Sequence, residues 1–139
     1  MSTSFSLQVY TPEKVFFDSD ALSVSVETPT GRLSVLAGHI PMVCALGSGK
    51  LTIKTQGGVK LAFHSEGFME VERERVEIFA QACEWPEEID RERAQSAVQR
   101  AVTRIKETRG TADAAWSNIA LIRARARLST KEVFEKKDD

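Results

Sequence analysis

Hydrophobic and polar residues alternate with a period of two through the first 85 positions of the chain. Phe5, Leu7 and Val9 fall on one face of a predicted strand, and every second residue from 22 to 26 repeats the pattern. Glycine and proline turns at 28–31, 47–49, 56–58 and 66–67 separate further short runs. Those runs predict strands at 15–17, 32–36, 42–46, 51–55, 59–64, 68–71 and 76–82.

The pattern changes to a helical one after Pro86. Apolar residues recur at i, i+3, i+4, i+7, i+8 and i+11 from Ala94 to Ile105, which predicts one amphipathic helix. Gly110 favours a break, and Asp113 could begin a second helix with a side chain such as Trp116 packed inside the hairpin. The 53 residues from Glu87 onward contain no proline and a single glycine, so helix is also favoured by propensity.

Together the two patterns predict an α+β fold. Residues 1–85 are expected to form an N-terminal antiparallel β-sandwich of about nine to ten strands, because so many short strands leave no room for crossover helices. Residues 86–139 are expected to form a C-terminal antiparallel two-helix hairpin. Its alanine-rich seam buries little apolar area, so we expect the hairpin to be only weakly held and able to move.

Charge is distributed unevenly between these two parts. Residues 1–87 carry 7 Lys and Arg against 11 Asp and Glu, a net −4, whereas residues 88–139 carry 12 against 9, a net +3. No secretory signal is evident at the N-terminus, and the least polar window, 33–46, is too short to span a bilayer. Cys44 and Cys83 lie in apolar surroundings and are predicted to be buried free thiols of a soluble cytosolic protein.

The chain offers little support for catalysis. The segment Gly47-Ser48-Gly49-Lys50 lacks the other residues of a phosphate-binding loop, so a hairpin turn is the better interpretation. With two histidines and no paired cysteines, a metal site is not supported, and no serine lies in a nucleophile elbow.

Arginines are the more informative residues. On the first helix Arg93, Arg100 and Arg104 flank the apolar stripe, and Arg123 and Arg127 stack at i, i+4 on the second. Guanidinium groups gathered by the hairpin could bind phosphate or the carboxylates of a partner protein, and they could equally form a solvated helix face. From these residues alone, one reading is a stand-alone nucleotide- or polyanion-binding module. Nucleic acid is not an expected partner.

Two segments resemble signatures of the epsilon subunit of the bacterial F-type rotary ATP synthase. Residues 31–41, GRLSVLAGHIP, are similar to the Gly-x-Leu-Gly-Ile-Leu-Pro-Gly-His-x-Pro motif and depart from it at Ser34 and Ala37. Residues 67–71, GFMEV, resemble the Gly-Phe-x-Glu-Val strand, with Glu66 where a second glycine is usual. The order of sandwich and Arg-rich hairpin is also similar, so the resemblance covers essentially the whole chain.

The resemblance implies a non-catalytic central-stalk subunit, or rotor subunit, at the cytoplasmic face of the bacterial cell membrane. It implies that the sandwich binds the gamma subunit and the c-ring, and that the extended hairpin meets the beta and alpha subunits and restrains ATP hydrolysis. Membrane association would come only through the complex. The implied contacts with gamma and the c-ring fall on Thr30, Gly31, Arg32, His39, Pro41 and Met42. Arg32 departs from the acidic residue often found at that ring-facing position.

Some members of this family also bind regulatory ATP at the folded hairpin through an Ile/Leu-Asp-x-x-Arg-Ala motif. Residues 89–94, IDRERA, fit that motif without departure. No cofactor is required by the resemblance, and ATP would act as a regulator. The implied ATP-binding residues are Glu84, Asp90, Arg93, Arg100, Arg123 and Arg127.

Overall fold

The structure, a computed structural model, describes residues 3–137. It confirms the predicted fold class, a β-sandwich followed by a helical hairpin; positions 1–2 and 138–139 of the two predicted segments lie outside the described residues. The strands are β1 Phe5–Tyr10, β2 Val15–Ala21, β3 Ser23–Thr28, β4 Gly31–Leu36, β5 Met42–Leu46, β6 Gly49–Thr55, β7 Gly58–His64, β8 Gly67–Val71, β9 Arg75–Ala80 and β10 Cys83–Glu84. A single 3-10 turn at Pro86–Glu88 leads into the helices α1 Arg91–Thr108 and α2 Ala114–Lys137.

The strands form two five-stranded sheets that pack face to face. One sheet has the order β2-β1-β9-β8-β5, and the other has the order β10-β7-β6-β3-β4. Neighbouring strands are antiparallel, as predicted, except that β1 runs parallel to β9 with Leu7 opposite Val76. β1 and β9 come from the start and the end of the sandwich, so no tight turn connects them. Only a tight turn would require the two strands to be antiparallel.

Residues at alternate strand positions fill the space between the sheets. Leu7, Val9, Val24 and Val26 are fully buried, which confirms the period-two prediction for β1 and β3. Leu22 departs from it, because this residue lies in the corner between β2 and β3 and is only half-buried.

Three predictions about strand ends and turns were wrong. The strand predicted over 15–17 continues as β2 to Ala21. The strand predicted over 76–82 ends at Ala80, and the chain then crosses to the other sheet, where β10 pairs with β7. The Gly47–Lys50 segment is not a hairpin turn, because β5 and β6 belong to different sheets. Gly49 is needed at this corner, since a Cβ added there would lie 2.5 Å from Cβ of Glu27.

The helical hairpin follows the predicted pattern except at Trp116. Ala94 and Ala101 are buried, and Gly110 takes a left-handed φ of 79° after α1 ends. Trp116, however, is 71% exposed, so the prediction that it packs inside the hairpin was wrong. The buried Ser117 contacts α1 instead, with its hydroxyl 3.0 Å from that of Thr108. The two helices pack through small residues, and the narrow space between them does not accommodate an indole ring.

Helix α2 lies across β6 and β7, so the hairpin covers the outer face of one sheet. Its apolar contact is a small cluster of Phe63, Ile89, Ala94 and Ala126, with Ala82 and Leu128 packed against it. This cluster is separate from the core between the sheets. The hairpin is therefore attached by little apolar surface, and polar contacts carry a large share of the attachment.

Candidate functional site

A cavity of about 360 Å³ opens where the hairpin meets the end of the sandwich. Five of the six predicted ATP-binding residues line it, which are Glu84, Asp90, Arg93, Arg100 and Arg127. Its apolar lining comes from Ile89, Ala94, Ala97 and Ala124. Strand β10, the start of α1 and the middle of α2 therefore bring these charged side chains together across the 86–90 connection.

Asp90 begins α1 as its N-cap. Its carboxylate accepts a hydrogen bond from the backbone N–H of Arg93 at 3.0 Å, which satisfies one of the unpaired amides of the first turn. The backbone N–H of Ala94 also donates to the Asp90 carbonyl, at 2.9 Å. Within residues 3–137, no ion pair includes the side chain of Arg93 or Arg100, and Arg100 Nε donates to the Ser96 carbonyl at 3.4 Å.

Arg127 and Glu84, both predicted ligands, contact each other. The Nε atom of Arg127 donates to a carboxylate oxygen of Glu84 at 2.5 Å, and the guanidinium lies over the Phe63 ring at 4.5 Å from its centroid. Each side chain is about one-third exposed. The pair therefore links α2 to β10 at the floor of the cavity.

Arg123, the sixth predicted ligand, lies outside this cavity. It lines an adjoining space of about 680 Å³ together with Arg100, Arg104 and Arg127. Its guanidinium forms a two-pronged ion pair with Glu66, with Nε 3.0 Å from Oε2 and Nη2 in contact with Oε1. Sequence reasoning did not assign Glu66 to the site, although an acidic residue in place of a glycine was a usable signal.

The structure separates the predicted gamma and c-ring contacts into two groups at opposite ends of β4. Thr30 lies in the β3–β4 turn, and Gly31 begins β4 with a φ of 135°. His39 and Pro41 lie in the loop after β4, and the half-buried Met42 begins β5. A six-residue strand separates the groups by about 20 Å at roughly 3.3 Å per residue.

Arg32 turns its side chain back onto its own sheet. Its guanidinium donates to the Lys50 carbonyl at 2.9 Å and to Thr52 Oγ1 at 2.8 Å, and it lies 3.6 Å from the Glu27 carboxylate. These three partners use several of its five donors. Any partner at this turn meets an arginine that is already engaged within the sandwich.

Cys44 and Cys83 are free thiols, and burial disfavours their thiolate forms. Burial raises the pKa of Cys83 to about 12, with nearby Glu84 adding to the shift, and burial also raises the pKa of the half-buried Cys44.

Across residues 3–137 no group of three or more His, Cys, Asp and Glu side chains is placed to hold a metal ion. None of the helices in that range is long and apolar enough to cross a membrane.

The class of protein follows from two family models that match consecutive parts of the chain. The beta-sandwich domain of the ATP synthase delta/epsilon chain matches residues 4–86, and the long alpha-helix domain of the same chain matches residues 87–132. Among relatives, the ATP synthase epsilon chain of Caldanaerobacter subterraneus subsp. tengcongensis is 39% identical over 136 residues, covering 97% of this chain and 99% of the relative. The ATP synthase epsilon chain of Bacillus velezensis is 40% identical over 122 residues, covering 88% and 92%. The chain therefore belongs to the ATP synthase delta/epsilon chain family and resembles its epsilon members over nearly its whole length.

Solved structures share the fold. A chain of the Euglena gracilis mitochondrial ATP synthase, from a structure of OSCP, F1 and the c-ring, superimposes with a TM-score of 0.70 at 23% identity and covers 100% of this chain and 84% of its own. A chain from the central stalk and c-ring structure of the Tetrahymena thermophila mitochondrial enzyme gives 0.57 at 18% identity, covering 97% and 96%.

Proposed function

We propose that this chain is a non-catalytic rotor subunit that couples proton-driven rotation of the c-ring to ATP synthesis. The observation that carries the proposal is the match of both domain models, in order and over residues 4–132, to the delta/epsilon chain of ATP synthase. As part of that complex it would lie peripherally at the cytoplasmic face of the bacterial membrane.

The two ends of β4 support a division of partners. The β3–β4 turn with Thr30, Gly31 and Arg32 would face the c-ring, and the loop and strand start with His39, Pro41 and Met42 would face gamma. Because Arg32 is held by Lys50, Thr52 and Glu27, the ring contact would rest on shape and backbone groups at this turn more than on a free charge. Co-purification of gamma and the ring with the full chain tests this assignment. Isolation of the chain alone would favour the stand-alone nucleotide- or polyanion-binding module.

The hairpin would act as a mobile inhibitor of ATP hydrolysis. Its attachment through a small apolar cluster supports movement, and its net positive charge suits acidic surfaces on the beta and alpha subunits. The test is the ATPase activity of a complex reconstituted with a chain that ends at residue 86. We expect faster hydrolysis with intact coupling, and an unchanged rate would remove the inhibitory role.

ATP would bind in the 360 Å³ cavity and hold the hairpin folded. Two lining arginines, Arg93 and Arg100, have no ion-pair partner among residues 3–137, and these cations together with the apolar lining support this ligand class. Titration calorimetry of the full chain with ATP should give binding heat that Arg93→Ala abolishes. Arg125→Ala is the matched control, because Arg125 is exposed and lines neither cavity. Equal heats from the two variants would reject the site.

A further inference from the structure

Glu66 and Arg123 form a two-pronged polar link between the sandwich and the hairpin. Arg123 presents two guanidinium nitrogens to the two carboxylate oxygens of Glu66, the geometry that gives the strongest form of this ion pair. Ser48 adds a hydrogen bond from its hydroxyl to Oε2 of Glu66 at 3.1 Å. Both oxygens of the carboxylate are therefore engaged and oriented.

The backbone beneath Glu66 is held on both sides. Its carbonyl accepts hydrogen bonds from the Gln81 N–H at 3.2 Å and from the Ser65 hydroxyl at 3.3 Å. The next residue, Gly67, packs so closely on β9 that a Cβ there would lie 2.8 Å from Cα of Ala80. Because the turn is already fixed, ordering Glu66 against Arg123 costs less side-chain and backbone entropy than a contact between two mobile loops.

The second ion pair on α2 lies one helical turn away. Arg127 contacts Glu84 on β10, and β10 pairs with β7, whose end leads into Glu66. Two arginines spaced i, i+4 on the helix thus meet one carboxylate on the edge strand β10 and one in the turn that follows β7. Only the Arg127 pair borders the smaller cavity, since neither Glu66 nor Arg123 lines it.

We propose that the Glu66–Arg123 ion pair is a nucleotide-independent latch that fastens α2 to the turn between β7 and β8. It rests on the proposed mobility of the hairpin and assigns Arg123 a docking role in the nucleotide-free chain. Each partner side chain is 37% exposed, so the latch is weak enough to open and is weakened by salt.

The test is hydrogen exchange of the α2 amides between Ser117 and Thr130 in the full chain without nucleotide. Glu66→Gln removes the charge while keeping the shape, and we expect about two- to fivefold faster exchange at low ionic strength, the range of a partly exposed ion pair. The difference should shrink in 1 M salt, where the screening length falls to about 3 Å. Glu72→Gln is the matched control, because Glu72 lies between β8 and β9 and pairs with Arg75, the first residue of β9 in the other sheet.

A charge swap makes the test independent of any general effect of one substitution. Glu66→Arg alone should speed exchange further, and combining it with Arg123→Glu should restore much of the protection. Equal exchange rates of the α2 amides in wild type, Glu66→Gln and Glu72→Gln would contradict the proposed latch without contradicting the proposed mobility of the hairpin. Exchange of α2 as slow as that of β1 and β9 in every variant would overturn both the latch and the mobility on which it rests.

Discussion

Gly67 illustrates how one missing side chain permits a close contact between strands. A Cβ at this position would lie 2.8 Å from Cα of Ala80 and closer still to the Phe79 carbonyl oxygen, and these backbone atoms belong to the paired strand β9. We expect Gly67→Ala to lower the free energy of unfolding by about 1–3 kcal/mol or more, because the strand must shift. Urea denaturation measures this change. Gly57→Ala is the control, with only Thr55 Oγ1 nearby at 3.7 Å and an expected change within about 0.5 kcal/mol.

His64 is a fully buried histidine whose two ring nitrogens have different roles. The Glu27 N–H donates to Nε2 at 3.0 Å, so Nε2 carries no proton, and Nδ1 therefore carries it and donates to the Ser65 carbonyl at 3.0 Å. Burial lowers the pKa of His64, and Arg32 lowers it further, against the opposing effects of the Ser65 hydrogen bond and Glu27. Protonation would also remove the acceptor that Glu27 uses.

The lowered pKa of His64 gives a signed prediction for stability. Below the usual histidine pKa of about 6.5 the unfolded chain binds a proton that the folded chain resists, so stability falls as pH falls. We expect this one group to contribute a slope of up to about 1.4 kcal/mol per pH unit below that value. Unfolding measured at pH 7.5, 6.5 and 5.5 should show a shallower slope for His64→Gln, whose amide oxygen can replace Nε2. An identical slope in His64→Gln and wild type would contradict the assignment.

Sequence patterns were least informative about single side chains at contacts. The helical spacing of its apolar side chain predicted that Trp116 is packed inside the hairpin. Its exposure depends instead on how closely the alanine-rich faces of α1 and α2 approach, and this distance cannot be derived from the sequence. Glu66 was missed for a related reason. Its role depends on a partner 57 positions away, and no local pattern joins a turn to a helix across that separation.

At the scale of elements, the Asp90 cap ties the start of α1 to the candidate site. Asp90→Ala removes the acceptor for the Arg93 N–H and should lower hairpin stability by about 1 kcal/mol. Asp90→Ser keeps a capping oxygen but loses the negative charge, so it should retain most of the stability. Hydrogen exchange in the first turn of α1 distinguishes the two variants. Equally fast exchange in both would show that the carboxylate acts through its charge and not as a cap.

Elements with a strong period were predictable, and their partners were less so. The strands and both helices follow from alternation, turn residues and the stripe from Ala94 to Ile105, because these patterns report local burial. The parallel β1–β9 pair and the short β10 could not be derived in the same way. Pairing across the sandwich depends on the path of the whole chain, which short-range alternation does not encode.

At the scale of the whole molecule, the separate cores predict that the sandwich folds without the hairpin. No helix residue belongs to the main cluster, whereas removal of the helices exposes chiefly Phe63 and its neighbours. A chain ending at residue 86 should keep a β-type circular dichroism spectrum and a cooperative transition. Uncovering Phe63 should reduce its stability by about 1.5–3 kcal/mol. A non-cooperative melt would show that the hairpin is part of one folding unit.

The residues of the candidate site were predictable from the sequence, but their positions relative to one another in the fold were predictable only in part. The motif at 89–94 and the helical spacing of the arginines indicated residues that could converge, and five of the six line one cavity. The sequence could not show which arginines are paired with carboxylates of the sandwich and which are not. Arg127 and Arg123 are each engaged by a carboxylate of the sandwich, while Arg93 and Arg100 form no ion pair within residues 3–137.

The parallel pairing of β1 with β9 also constrains the order in which the protein can assemble during synthesis. Leu7 lies opposite Val76, so the strand made first must wait until nearly all of the sandwich has left the ribosome before its second edge is covered. Meanwhile β1 can pair only with β2, and the open edge of that two-stranded ribbon is a site for contact with other nascent chains. The helices emerge last, onto a sandwich that has only just closed.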